Sequence, residues 1–172
     1  MPLWGLANLW WHTMKQSILA ERLDYNSETG IFLWKRPPHN HMRLLGKQAG
    51  GISTGYVMIK IDGHKYKAHR LAWLYVHGNW PTKDIDHRDG NPLNNAISNL
   101  RLATMAQNLA NAKRRKGKSI AKGVRMAREK FQARIKFAGK LINLGSFLTE
   151  AEAAEAYRKA SIKYYGEFHR SS

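Results

Sequence analysis

Residues 86–95 have the sequence DHRDGNPLNN, and this stretch decides how the whole chain is interpreted. Asp, Asn, Gly and Pro all favour turns, so a polar turn is the simplest interpretation. An EF-hand calcium loop is the second. A loop starting at Asp84 would have Asp89 at its sixth position, where glycine is required, and Asn95 at its twelfth, where glutamate is required. The pattern therefore excludes an EF-hand.

The segments on either side of this stretch favour a third interpretation, a catalytic metal site. A short strand begins at Asp84, a second is predicted over Leu100–Ala103, and Thr104 is a suitable N-cap for a helix over residues 105–112. This strand–loop–strand–helix order can bring Asp86, His87 and Asn108 together. Oxygen ligands suit Mg²⁺, and a neutral histidine can accept a proton from water. These are the groups needed to hydrolyse a phosphodiester.

The full string of polar residues is more specific than any single pair. Residues 86–108 follow the pattern D-H-x-D-G-N-x-x-x-N-x-x-x-N-L-x-x-x-T-x-x-x-N. This pattern resembles the HNH endonuclease family, in the branch of phage and intron homing nucleases. The preceding GYVMIKIDGHKYKAHRLAW, residues 55–73, is similar to the strands and helix that come before the motif in that branch. The resemblance covers about residues 23–112.

The resemblance implies a role for each residue of the motif. Asp86 would be a metal ligand and His87 the general base. Asn99 would hold the loop or orient His87, and Asn108 would be the second protein ligand. One Mg²⁺ or Mn²⁺ is implied per active site, with DNA supplying further ligands. We interpret His69, at a strand–helix boundary, as a capping or packing residue.

The composition of the chain favours a polyanionic partner. Lysine and arginine number 29 against 12 acidic residues, which gives a formal charge of +17. Such an excess repels itself unless a polyanion neutralises it, so DNA or RNA is the first inference and an anionic membrane the second. Cysteine is absent, which excludes disulfides and thiolate zinc sites. No apolar run reaches the roughly 20 residues of a membrane span.

The C-terminal region has a different pattern from the motif region. Residues 130–137 (KFQARIKF) alternate between apolar and polar side chains, which is typical of a half-buried strand. A second strand precedes them and a third, LINLGSF, follows. Thr149 and Glu152 form a capping box that opens an alanine-rich helix ending at Gly166. We therefore predict an α+β protein whose C-terminal unit is a three-stranded antiparallel sheet packed on one helix.

This region also resembles the APETALA2/ethylene-response-factor DNA-binding domain, through GVR at residues 123–125, KFQARI, GKLINLGSF and TEAEAAEAYRKASIKYYGEF at residues 149–168. The resemblance implies that the polar sheet face reads the major groove of double-stranded DNA, which also accepts β-structure. The arginines of the sheet and Lys136 would contact bases or phosphates, and arginine is suited to guanine. Lys130 and Lys140 would contact phosphate, and Gln132 and Asn143 would contact adenine. The alternative is a solvated strand face. The predicted DNA-contacting residues, which include two from the basic linker, are Arg114, Arg115, Arg125, Arg128, Lys130, Gln132, Arg134, Lys136, Lys140 and Asn143.

The sequence thus predicts four segments: an extension over residues 1–14, an HNH nuclease domain over 15–112, a basic linker over 113–121 and a DNA-binding domain over 122–172. The predicted function is site-directed DNA cleavage by a cytoplasmic monomer, acting as a nickase or a double-strand cutter, with no membrane and no small-molecule cofactor. The alternatives are a DNA-binding regulator with an inactive nuclease unit, and an RNA-binding or RNA-cleaving protein.

Overall fold

The computed structural model describes residues 14–112 and 121–170, and it confirms the predicted mixture of helices and antiparallel sheets. The chain divides between Leu102 and Ala103 into two compact units. The four domain boundaries drawn from the sequence stay predictions. Of the predicted extension, only Met14 is described, and it packs in the core of the first unit. The predicted linker lies outside the described residues except for residue 121.

Within the described residues, no helix is both long and apolar enough to cross a membrane.

The described part of the first unit, from residue 14 onward, contains three small sheets and two helices. A hairpin of β1 and β2 is followed by the antiparallel sheet β3-β4-β5, and β6 pairs with β7, whose last residue lies beyond the division. Short 3₁₀ turns span His39–Leu44 and Ile97–Asn99. The elements are α1 (Gln16–Arg22), β1 (Leu23–Asn26), β2 (Ile31–Trp34), β3 (Gly51–Ser53), β4 (Tyr56–Ile61), β5 (His64–Lys67), α2 (Ala68–His77), β6 (Asp84–His87) and β7 (Leu100–Ala103).

Helix α2 forms the centre of the first core. Leu71, Ala72 and Leu74 recur at helical spacing and are fully buried, and Gly78 ends the helix with a left-handed backbone at φ 78°. Strand β5 ends at Lys67, because the residues that follow it belong to the buried face of α2. The basic segment over residues 36–48 contains the first 3₁₀ turn.

The second unit has the predicted architecture. Its sheet, in the order β10-β9-β8, is antiparallel and packs on one helix, with Val124, Ala133 and Ala153 buried between them. Both predicted N-caps form complete capping boxes, at Thr104 and at Thr149. The elements are α3 (Met105–Asn111), β8 (Val124–Ala127), β9 (Lys130–Phe137), β10 (Lys140–Phe147) and α4 (Glu150–Tyr165), followed by a 3₁₀ turn at Gly166–Phe168.

Close packing of helix on sheet explains two small residues in this unit. Ala153 has no exposed surface, so the helix approaches the sheet without a large side chain between them. Gly123 has φ 72°, and a Cβ atom there would collide with the ring of Tyr157. At the far end of β9, Phe137 is exposed rather than buried, and it stacks on Tyr164.

Candidate active site

Strand β6 ends in two adjacent buried polar residues, Asp86 and His87. Buried polar groups need partners, and Asp86 has a charged one. Its Oδ2 atom accepts hydrogen bonds from Nε of Arg101 at 2.8 Å and from Nη2 of the same guanidinium at 2.7 Å. Strand β7, which pairs with β6, supplies this arginine. The polar motif of residues 86–108 does not include Arg101, although it is the one polar residue in the strand LRLA.

The imidazole of His87 is held between an amide and another imidazole. Its Nε2 atom lies 3.4 Å from Oδ1 of Asn95, and its ring meets the ring of His69 edge-on, with centroids 5.0 Å apart and an interplanar angle of 88°. Burial lowers the pKa of His87, while the Asn95 bond and the charges of Asp89 and Asp86 partly oppose that effect. His87 is therefore neutral at physiological pH, as a proton acceptor must be.

His69 is a buried neutral histidine rather than a capping residue. Its side chain is 6% exposed, and among the described residues its Nδ1 atom has no hydrogen-bond partner. Burial is the main cause that lowers its pKa to about 3, and the positive charges of Lys67, Arg70 and, when it is protonated, His87 add to that effect. Of the two predicted roles, capping and packing, the structure shows packing, because the ring contacts both His87 and Tyr56.

Asn99 fastens the loop that follows His87. Its side-chain Nδ2 donates to Oδ1 of Asp89 at 3.0 Å and to the carbonyl oxygen of Asn94 at 2.9 Å, and its Oδ1 accepts from the backbone N–H of Asp89 at 3.0 Å. Burial would raise the pKa of Asp89, but hydrogen bonds from Asn91, Asn94 and Asn99 outweigh it and lower that pKa. The loop is thus a connected polar network around an ionised carboxylate.

The β1–β2 hairpin holds the other end of the loop. The hydroxyl of Tyr25 donates to the carbonyl of Asn95 at 2.7 Å, and the backbone N–H of Ile97 donates to the carbonyl of Ser27 at 3.0 Å. Gly30 has φ 72°, and a Cβ atom there would collide with the backbone of Asn95. The hairpin therefore fixes the position of Asn95, whose side chain contacts His87.

The implied divalent metal is compatible with the chemistry of the two predicted protein ligands, Asp86 and Asn108. Asp86 offers a carboxylate and Asn108 an amide oxygen, and both are the hard donors that Mg²⁺ prefers. A carboxylate has lone pairs to spare beyond the two bonds from Arg101. Among the described residues, no cluster of three or more histidine or acidic side chains could hold a metal. Asn108 belongs to α3 in the second unit.

The second unit groups most of the predicted DNA-contacting residues on one sheet face. Oε1 of Gln132 accepts hydrogen bonds from Nη2 of Arg125 at 2.9 Å and from Nη2 of Arg134 at 2.8 Å. Asn143 is the cross-strand partner of Arg134, and such partners share a face. Lys130 and Lys136 lie on the same face by strand alternation.

Four of the predicted DNA-contacting residues either lie away from this face or are not described. Lys140 pairs with Phe137, so its side chain leaves the sheet on the opposite face. Arg128 lies in the β8–β9 turn with φ 55°. Arg114 and Arg115, which were also predicted to contact DNA, lie outside the described residues.

Comparisons with known proteins identify a family for the segment that carries Asp86 and His87. Residues 66–110 match the family model described as HNH endonuclease, a segment that includes Asp86, His87, Asn99 and Asn108. The chain is 36% identical over 118 residues to an uncharacterised HNH endonuclease of Acanthamoeba polyphaga mimivirus, an alignment that covers 67% of this chain and 61% of that relative. The family match ends before the sheet of the second unit. No solved structure matches the chain significantly.

Proposed function

Because residues 66–110 belong to the HNH endonuclease family, we propose that this protein hydrolyses phosphodiester bonds of double-stranded DNA with a divalent metal. The observation that carries the proposal is the buried Asp86–His87 pair, in which a carboxylate lies beside a histidine kept neutral by burial. A structural turn needs neither burial nor a neutral base. The chain spans about three-fifths of its viral relative, so its activity is inferred from its own site.

In the proposed mechanism, His87 takes the proton from the attacking water. When its Nε2–H donates to Oδ1 of Asn95, Nδ1 carries the lone pair that accepts this proton. Asn95 and His69 limit rotation of the ring, which keeps the lone pair directed at the reacting water. Asn99 holds the loop that carries these groups.

Asp86 and Asn108 are the residues that would hold one Mg²⁺ or Mn²⁺. When bound, such an ion supplies a Lewis acid that stabilises charge on the scissile phosphate and on the leaving oxygen.

The second unit would direct this cleavage to chosen sequences, as an APETALA2/ethylene-response-factor-like module. This role is supported by the sheet face on which Gln132 orients Arg125 and Arg134. The paired donors of a guanidinium group can bind guanine in the major groove. Joining a nuclease of low sequence specificity to a separate DNA-binding module raises the local concentration of the nuclease at the site that the module binds. Such an arrangement suits a homing endonuclease of a phage or another mobile element.

The proposal is tested on supercoiled plasmid and on duplex RNA of matched length, with Mg²⁺ or Mn²⁺ and with excess chelator. We expect conversion of the plasmid to open-circular or linear DNA only when metal is present, and no cleavage of the RNA. Open circles alone would identify a nickase. Tight DNA binding without cleavage, on genomic DNA as well as plasmid, would replace the endonuclease with a DNA-binding regulator.

A further inference from the structure

Arg101 binds the carboxylate through which a metal would be held. Two of its nitrogens donate to the same oxygen, Oδ2 of Asp86, at 2.7 and 2.8 Å. The side chains are 7% and 8% exposed, so water screens this pair only weakly. Among the ion pairs of the described residues whose exposure is known, the others have side chains at least 29% exposed.

A buried carboxylate requires a positive partner, and Asp86 could obtain one from either of two sources. Removing one member of a buried ion pair leaves an uncompensated charge and is strongly destabilising. A divalent ion at Asp86 would supply the same compensation as the guanidinium. It would also lie within a few ångströms of the Arg101 charge, and like charges at such distances repel strongly in a partly dehydrated site.

We propose that Arg101 competes with the divalent metal for Asp86 and thereby sets the metal affinity of the site. Arg101 is in this respect a positioning residue, because it keeps the carboxylate in place and compensated before the metal arrives. The proposal rests on the assignment of Asp86 as a metal ligand in the proposed function. It makes Arg101 the residue that keeps the metal-free protein stable and holds metal binding weak.

The test is a Mn²⁺ titration of the full chain at pH 8, followed by thermal melting and by the paramagnetic signal of free Mn²⁺. The variant is Arg101→Met. We expect a lower melting temperature than the parent without Mn²⁺, a larger rise when Mn²⁺ is added, and a Kd for Mn²⁺ at least about tenfold tighter than that of the parent. Arg101→Lys keeps the charge but loses the paired donors. Its melting temperature and its Kd for Mn²⁺ should therefore lie between those of the parent and those of Arg101→Met.

Two further variants make the comparison specific. Arg22→Met removes the same charge from an exposed pair with Asp62 and should titrate like the parent. Asp86→Asn removes the carboxylate and should abolish the Mn²⁺-dependent rise. If Arg101→Met is unfolded without metal, we expect it to recover its folded state when Mn²⁺ is added. The Kd for Mn²⁺ is then measured on Arg101→Lys and compared with that of the parent.

The proposal is overturned if Arg101→Met binds Mn²⁺ no more tightly than the parent, or if its loss of stability is the same with and without Mn²⁺. Plasmid cleavage by the parent is scored separately. A parent that binds Mn²⁺ through Asp86 but does not cut would contradict the endonuclease and leave the competition intact. A parent that cuts, with an unchanged affinity in Arg101→Met, would contradict the competition alone.

Discussion

The loop at residues 86–99 and the outer face of the C-terminal sheet are both polar, but they are built in opposite ways. In the loop, Asp86, His87 and Asn99 are buried and each has fixed partners. On the sheet, Arg125 is exposed and donates hydrogen bonds to the side-chain oxygen of Gln132. A catalytic group must be held in one geometry, whereas a DNA-contacting group must adapt to its target. Substitutions in the loop should therefore cost activity and stability, and those on the sheet should cost only binding.

The largest effect short of removing the proposed base is expected from Asn99→Ala. The change deletes three side-chain hydrogen bonds of the loop, those to Asp89 Oδ1, the Asp89 N–H and the Asn94 carbonyl. We expect cleavage to fall by about 100-fold or more, and the free energy of unfolding to fall by about 3 kcal/mol. Single-turnover cleavage measures the rate, and urea unfolding measures the free energy of unfolding. Asn40→Ala, in the first 3₁₀ turn, is the control, and equal losses in both variants would contradict the account.

Gly30→Ala should destabilise the first unit through the same loop. Gly30 and Gly63 both have positive φ, at 72° and 86°, but only at Gly30 would a Cβ meet the backbone of Asn95. We expect Gly63→Ala to cost about 1 kcal/mol from backbone strain alone, and Gly30→Ala about 3 kcal/mol with reduced cleavage. Chemical denaturation compares the pair. Equal costs would show that the hairpin does not fix the loop.

On the sheet, Arg134→Ala should weaken DNA binding without changing the site. We expect a loss of about 1–3 kcal/mol in binding free energy, and a change in unfolding free energy within about 0.5 kcal/mol. Lys159→Ala removes the same charge from the exposed surface of α4 and is the control. Fluorescence anisotropy at several salt concentrations measures both variants. If Lys159→Ala weakens binding as much as Arg134→Ala, the sheet has no special role and net charge explains the affinity.

The smallest effect is expected from His69→Phe, in the pH dependence of stability. The folded pKa of His69 is about 3 and its ordinary value is 6.5, so between these values the unfolded chain binds a proton that the folded chain does not. The free energy of unfolding should therefore fall as pH drops below 6.5, by about 1.4 kcal/mol per pH unit for this residue. His69→Phe should make the slope shallower while keeping the ring contact with His87.

Urea unfolding at pH 7, 6 and 5 measures that slope, and the exposed His77 on the same helix provides the control as His77→Phe. His87 remains titratable in both variants, so part of the pH dependence should persist. An unchanged slope in His69→Phe would mean that His69 is protonated in the folded protein.

The sequence predicted the elements whose signals are local. The capping boxes at Thr104 and Thr149 and the alternation over residues 130–137 involve only neighbours in the chain, and each is present in the structure. The segments around residues 86–95 likewise predicted the order of strand, loop, strand and helix. These features need no knowledge of how distant segments pack.

What the sequence did not predict depends on contacts between distant segments. The Asp86–Arg101 pair joins residues 15 apart, and the contact between His69 and His87 joins residues farther apart still. Strand β3 is short and its Ile52 is 69% exposed, so it carries no hydrophobic signal and exists through pairing with β4. The collision that requires glycine at position 30 is likewise visible only once the loop lies against the hairpin.

The central claim is that the Asp86–His87 pair hydrolyses DNA, and single-turnover cleavage by His87→Ala tests it most directly. The control is His77→Ala, which removes an exposed histidine of α2. We predict that with Mn²⁺ the His87 variant loses at least about 100-fold in rate, while its DNA affinity and the rate of the control match the parent. Cleavage by His87→Ala at the rate of the parent would contradict the account.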